Sequence, residues 1–540
     1  MQRLYTAFLT ACMCLLLSSC VAAARYSNRN TLRIGWNGDV DTLNPFMATE
    51  SQSYEAFRLI YDLLIGFGKN LEPVPDLARS WESSHDGLKW TYHLAHNARW
   101  QDGQPVTSAD VKFTYEYIIR NKMDLFILYV AAINKIDTPD PYTVVFTCKT
   151  PSVLMEQIFV PILPKHIWEK VDPKTALTRE DDHPIGSGPF RLAEWQKNRY
   201  MKFTANESYF RGRPHIDDVV FVAFANTNTM MQALRLGEIQ AVSGIPPPLF
   251  RLLKQEPGIK TIVKPSNGFS QLTLNVWSSP KSKGNPLLRD VRVRQAMVYG
   301  IDKRRLLDIS KLGYGDIGST IIPKMFPFWH WEPAGKERMD YNPQKARQIL
   351  EDAGYHVGPD SIRVDKKGRP LRFRLYARSG ASEDLATSQL ILEQLKEVGI
   401  AIDLRTVEKA TQDNYIKDNA DFDLAIYSWG GDSDPNFLLS LFTTKQIKNW
   451  NDYYYSNPAY DKLFEQQQHL INRNERRKVL QQMQRIIYHD APSIVLYYDS
   501  TLQGFRTDKF AGWRDDQVEG AIMALGGLTY RSIYPVERKP

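Results

Sequence analysis

Cysteine is nearly missing. Four occur in 540 residues, and Cys12, Cys14 and Cys20 crowd the N-terminus, which leaves Cys148 without a thiol partner downstream. That excludes a disulfide framework, so stability must come from burial of an apolar core. Long apolar runs are missing as well: past the N-terminal segment nothing nears the ~18 uninterrupted apolar residues that a membrane-spanning helix needs. Runs of Lys and Arg interleaved with aromatics are absent, and the net charge of +7 is spread along the chain. That excludes the usual footprint of nucleic-acid binding. No G-x-S-x-G, H-E-x-x-H or P-loop occurs, so the common hydrolase, zincin and NTPase signatures are excluded, and neither catalytic residues nor a cofactor is expected.

What is there begins with "MQRLYTAFLTACMCLLLSSCVAAARYSNRN". One arginine, an apolar stretch from Ala7 to Leu17 and then small residues form a secretory signal over residues 1–24. Two cuts compete. "LSSC" has the form of a lipobox that would leave a lipidated Cys20, whereas "AAA" at Ala22 to Ala24 suits ordinary signal peptidase. Either way the chain is exported, and the expected location is the periplasm. A composition that is 43% hydrophobic with 31 Gly and 31 Pro is globular, with room for roughly two to four folding units.

Up to about Val263 the pattern is strand-rich with inserted helices. Thr107 and Asp110 give a capping signal for a helix through "ADVKFTYEYIIRN". Asn342 and Pro343 start a helix whose stripe of Ala346, Ile349, Leu350 and Ala353 ends at Gly354. The stretch after it is more informative. "LRFRLYA" predicts a strand, "EDLATSQLILEQLKEV" a helix, "IAIDLRTV" a strand, "TQDNYIKDNA" a weak helix and "FDLAIYSW" a third strand. This is βαβαβ, which implies parallel strands, and open parallel sheets bind ligands outside their carboxyl ends.

Two charges fall on that rim. Asp432 follows the third strand after Gly430 and Gly431, which admit close backbone approach, and Arg378 follows the first strand. A zwitterion such as a short peptide satisfies both, its ammonium on the carboxylate and its carboxylate on the guanidinium fork. The alternative, that Asp432 caps a turn and Arg378 is a solvated edge residue, stands beside it. Other motifs read as structural. Gly313 to Gly318 fits G-x-G-x-x-G but follows a helix, which predicts a loop. His93 and His96, three apart on a strand, face opposite sides and form no metal site. His330 lies in the aromatic loop "FPFWHWEP", where packing is the commoner use.

Several stretches in order, among them "LNPFMATESQSYEAFRLIYDLLIGF", "PDLARSWESSHDGLKWTYHLAHNARWQDGQPVTSADVKFTYE", "PIGSGPFRLAEW", "VRVRQAMVYGIDKRRLL", "YNPQKARQILEDAGY" and "YSWGGDSDPNF", resemble the dipeptide- and oligopeptide-binding family of extracytoplasmic solute-binding proteins of ABC importers. The resemblance implies an α/β fold of two lobes with a subdomain inserted in lobe one. Residues 31–268 would form lobe one, with the insertion at about 56–180 and a return over 493–540, and 269–492 would form lobe two. It implies a monomer that captures short peptides and hands them to permease subunits in the membrane. By that match the segment Trp429, Gly430, Gly431 and Asp432 binds the peptide, with Asp432 pairing its amino terminus and the strand pairing its backbone, Arg378 grips the carboxylate, and Glu50 and Ser51 lie in the first-lobe stretch that touches ligand. The loop "GDSDPNF" is shorter than in many dipeptide binders, and the paired cysteines of some members are missing. Related proteins bind nickel complexes, haem, oligosaccharides or opine-like compounds, and these remain the alternative; a secreted peptidase is the rival class.

Overall fold

The computed structural model describes residues 30–156, 159–181, 183–516, 518, 520–522 and 529–536. The expected leader and Cys20 lie outside the described residues. Twelve strands form one mixed sheet that spans the molecule. Its middle is the long strand Ser493–Arg506, whose first six residues are buried, as in a strand covered on both faces. Its first residues pair antiparallel with Phe269–Leu274, and its last pair antiparallel with Ala241–Val242 and Ile259–Pro265. On one side the sheet continues through Thr31–Asn37, Asp218–Phe224, Tyr200–Ala205 and Phe190–Gln196; on the other through Leu424–Trp429, Arg372–Arg378 and Ala401–Val407. Ser493–Arg506 and the link from Ile259–Pro265 to Phe269–Leu274 thus carry the chain between the two halves.

Each half has its own core. One is built from residues such as Leu32, Ile34, Phe203 and Phe221 with Phe505 and Tyr530, the other from Leu272, Leu375, Leu395, Leu424 and Ile494. A third cluster joins them, setting Leu63, Phe67 and Phe159 against Phe269, Phe326, Leu438 and Tyr453. Apart from the main sheet, Ala78–Ser83, Lys89–Leu94, Thr143–Cys148 and Ile133–Asp140 make a four-stranded antiparallel sheet. Lys89–Leu94 alternates buried side chains with exposed or half-buried ones along its length, the period of a strand with one face on a core. The helix Ser108–Asn121 packs with this sheet; the Asp110 carboxylate accepts from the Thr107 backbone N–H at 2.8 Å, as the capping signal predicts.

The βαβαβ unit has the expected order. Arg372–Arg378 runs parallel to both Ala401–Val407 and Leu424–Trp429, with Ser382–Glu397 as the first crossover. The weak second helix is a short α turn, Lys409–Asp413, running into a π turn, Asn414–Asp418. One expectation fails. The stretch from Gly313 to Gly318 is not all loop, because Gly315–Ile317 adds a short strand to Ser493–Arg506. Gly315 has φ +138°, and a Cβ there would lie 2.7 Å from the Tyr498 carbonyl oxygen, so glycine is what permits the pairing. His330 uses both ring nitrogens internally, on the Ile322 carbonyl at 2.7 Å and on Glu332 at 2.8 Å. Among the described residues no helix is long and apolar enough to cross a membrane.

Candidate ligand site at the sheet rim

The strand Leu424–Trp429 reaches the rim with one side closed and the other open. On the closed side it pairs from Leu424 to Trp429 with Phe269–Leu274. On the other side, among the described residues, Arg372–Arg378 pairs with it at Leu424 and Ala425 alone. The gap beyond is sealed at its base by Gln412, whose amide donates to the Tyr376 carbonyl at 3.1 Å and to the Ile426 carbonyl at 3.3 Å. Backbone groups on a strand alternate in direction, so Ser428 points its N–H and C=O the same way as Ile426, into the gap. Ser428 and Gly430 are exposed, two residues apart, on this edge. An extended chain laid along it would find a strand lacking a neighbour.

The two glycines that follow differ in purpose. A Cβ at Gly431 would lie 2.7 Å from the Asn267 carbonyl oxygen and 3.0 Å from Leu438, and the Asn267 amide donates to the Gly431 carbonyl. Gly431 therefore admits the link between the halves, not a ligand. At Gly430 the nearest atom to such a Cβ is the Asn267 side-chain oxygen at 3.9 Å, so this position is open. Trp429 is half-buried and stands edge-to-face with Trp450 at 6.0 Å and Phe437 at 6.1 Å, contacts that fix its ring as a wall.

Asp432 sits where the halves meet. The Tyr129 hydroxyl, from the first half, donates to its Oδ2 at 2.5 Å, and Tyr54, whose hydroxyl donates to the Ala48 carbonyl at 3.0 Å, is close enough to feel its charge. Among the described residues no cation pairs with Asp432. Burial is the main cause that pushes its carboxyl up to about 6; the Tyr129 hydrogen bond opposes this and the charge of Asp434 adds to it. Two residues on, Asp434 has the opposite situation. It is buried and held by Arg476 through two parallel contacts of 2.6 Å, and it accepts from the Asn436 N–H at 2.8 Å. One aspartate of "GDSDPNF" anchors the loop; the other has no counter-ion among the described residues.

A cation docking on Asp432 needs the ionised form. The affinity for a cationic ligand should therefore fall roughly tenfold between about pH 7.5 and about pH 5, as protons compete at a group titrating near 6. Calorimetry across that range checks this; a flat profile would remove Asp432 from the recognition.

The other predicted residues are placed as follows. Arg378 closes its strand, and its Nε and Nη2 donate to Asp384 Oδ2 at 2.8 and 2.7 Å. Its guanidinium already holds a carboxylate of its own chain. Glu50 and Ser51 are exposed at the start of the helix Ser51–Ile60; Glu50 makes no side-chain cap, and the Ser51 hydroxyl donates to Gln52 at 3.1 Å. That helix brings Tyr54, not Glu50 or Ser51, to Asp432. Sequence reasoning missed Tyr54, Tyr129, Gln412 and the Asp434–Arg476 pair. A cavity of about 600 Å³ lies between Ala131, Ala132 and Leu154 on one side and Ser440, Thr443 and Phe464 on the other, and none of the rim residues lines it.

The chain matches the model of bacterial extracellular solute-binding proteins, family 5 middle, over residues 72–450. It is 27% identical to the oligopeptide-binding protein AppA of Bacillus subtilis over 490 residues, 88% of each chain. The structure of that protein in complex with a nonapeptide resembles this fold with a TM-score of 0.79 at 23% identity, covering 94% of this chain and 99% of the other. NikZ of Campylobacter jejuni in complex with Ni(L-His) is equally similar in fold, with a TM-score of 0.79 at 22% identity and the same coverage. These likenesses show the α/β, two-lobed architecture of periplasmic binding proteins.

Proposed function

The chain belongs to the family-5 bacterial extracellular solute-binding proteins, the substrate-binding components of ABC importers and not enzymes, and on that premise we propose that it captures short peptides between its lobes and delivers them to a membrane permease. The observation that carries the reading is the open edge at Ser428–Gly430 ending in Asp432. A peptide main chain pairs with such an edge whatever its side chains, as in strand addition, and its ammonium ends at a carboxylate that no cation among the described residues pairs with. Trp429, held edge-to-face by Trp450, walls the path. The AppA relative is an oligopeptide-binding protein, which supports the same reading.

On this reading residues 31–268 belong to lobe one and 269–492 to lobe two, the chain returns to lobe one along Ser493–Arg506, whose Ile494 still packs in the lobe-two core, the four-stranded sheet belongs to the inserted subdomain, and the protein acts as an exported monomer. Both linking segments cross at the rim, so Tyr129 from lobe one reaches Asp432 in lobe two only when the lobes approach each other. Closure excludes water and strengthens the ion pair that Asp432 makes. Titration calorimetry against peptides of two to nine residues, a nickel–histidine complex, haem, an oligosaccharide and an opine tests the assignment. Peptides are expected to bind, with little dependence on side chain. Tighter binding of a non-peptide ligand, or cleavage of the peptides, would overturn it.

A further inference from the structure

Arg378 and the charges around it form a cluster at the same rim. Asp384 Oδ2 takes both Nε and Nη2 of Arg378. Next to this pair Lys311 bridges Glu383 and Asp499, the latter at 3.0 Å. Asp499 in turn accepts from the Ser270 hydroxyl at 2.6 Å, and Ser270 shares a hydrogen bond of 2.7 Å with Ser428, on the open strand edge. Two cations therefore stand among three carboxylates, and a further carboxylate, Glu408, accepts from Ser379 beside Arg378.

We propose that Asp384 sets the ligand class of this site. By occupying Arg378 it turns the rim against a ligand carboxylate, so the site takes peptides whose carboxy terminus is amidated or lies beyond the rim, ahead of free dipeptides. The proposal rests on the peptide reading above. Three observations carry it. The guanidinium edge formed by Nε and Nη2 is filled, and its charge is cancelled at contact distance by a carboxylate that is itself 9% exposed. The cluster as a whole carries an excess of acid, so an incoming carboxylate meets repulsion where a neutral or basic group does not. The N-terminus of Ser382–Glu397, which would otherwise favour an anion, already has Glu383 and Asp384 in its first turn. Burial raises the Asp384 carboxyl above the usual carboxylate range, and Arg378 and Lys311 offset this only in part.

A positioning role for Asp384, in which it aims the free end of the guanidinium at a ligand carboxylate, predicts the opposite sign, so one experiment separates the two. Calorimetry of the wild type and of Asp384→Asn is run at neutral pH with dialanine, dialanine amide and tetra-alanine. Wild type is expected to bind the amide at least as well as the free dipeptide, and tetra-alanine better than either. In Asp384→Asn the ratio of free-dipeptide to amide affinity should rise about tenfold or more as Arg378 is released. Glu383→Gln, which leaves the Arg378 pair intact, should shift the ratio the same way by less, and matching thermal melts show that both variants fold. The proposal is overturned if wild type prefers the free dipeptide by about tenfold, or if Asp384→Asn leaves the ratio unchanged or moves it toward the amide. Failure of all three peptides to bind wild type is a separate outcome, which overturns the peptide reading and this inference with it.

Discussion

Asp432→Asn is expected to weaken the binding of an oligopeptide with a free amino terminus by roughly 2–5 kcal/mol, the loss typical when one partner of a desolvated charge pair is removed. The same substitution should make the ligand-free protein more stable at neutral pH. Burial pushes the Asp432 carboxyl up to about 6, well above the ordinary carboxylate range, so the folded state holds a proton more tightly than the unfolded chain does. The wild type is therefore penalised while Asp432 is ionised, and it recovers that stability as the pH falls through about 6 toward 4. Asparagine keeps an acceptor for the Tyr129 hydroxyl and carries no charge. The variant should melt above wild type near pH 7.5, and the gap should shrink on acidification. Opposed changes in affinity and stability mark a residue retained for function; a variant that loses stability and affinity together would make Asp432 a structural turn residue.

Arg476→Met carries the largest expected cost in stability. Arg476 and Asp434 expose only 4% and 3% of their side chains. The guanidinium also donates from Nε to Gln467 at 2.9 Å and lies over the Trp329 ring at 4.9 Å. Methionine preserves much of the packing but leaves Asp434 as a buried charge without a partner. The expected loss is about 3–5 kcal/mol, measured by denaturant unfolding. Because Asp434 also accepts from the Asn436 N–H, the loop that presents Asp432 should loosen and peptide affinity should fall. Adding Asp434→Asn to Arg476→Met removes the stranded charge, and the double variant should recover part of the stability. A single variant as stable as wild type would show that Asp434 is not held by this pair.

What the sequence made legible is what local periodicity and caps encode. The βαβαβ unit, its parallel strands and the position of Asp432 past the third strand all follow from patterns within a few turns of chain. The resemblance placed these in a two-lobed family. The partners of the rim charges were not legible, because they come from far away in the sequence. Tyr129 stands 303 residues from Asp432, and Arg476 reaches Asp434 across 42 residues from another helix. Neither carries a local signal. Asp384 is different: it lies six residues after Arg378, in the first turn of a helix that the sequence predicts, where an acid facing the preceding strand end is a foreseeable partner. Gly431 shows the limit of reading glycines from sequence. Its missing Cβ makes room for the chain's own Asn267, and only Gly430 is left open to a ligand.

In the proposed function the amino end of a peptide is read at Asp432 while its main chain lies along the Ser428–Gly430 edge. The most direct measurement compares the affinity of the wild-type protein for one oligopeptide with a free and with an N-acetylated amino terminus, at a neutral pH where Asp432 is ionised. Acetylation leaves the backbone able to pair with the strand edge and removes only the ammonium. The acetylated peptide is expected to bind wild type weaker by roughly 2–5 kcal/mol, and the difference is expected to collapse in Asp432→Asn. Equal affinity of the two peptides for wild type would contradict this role of Asp432.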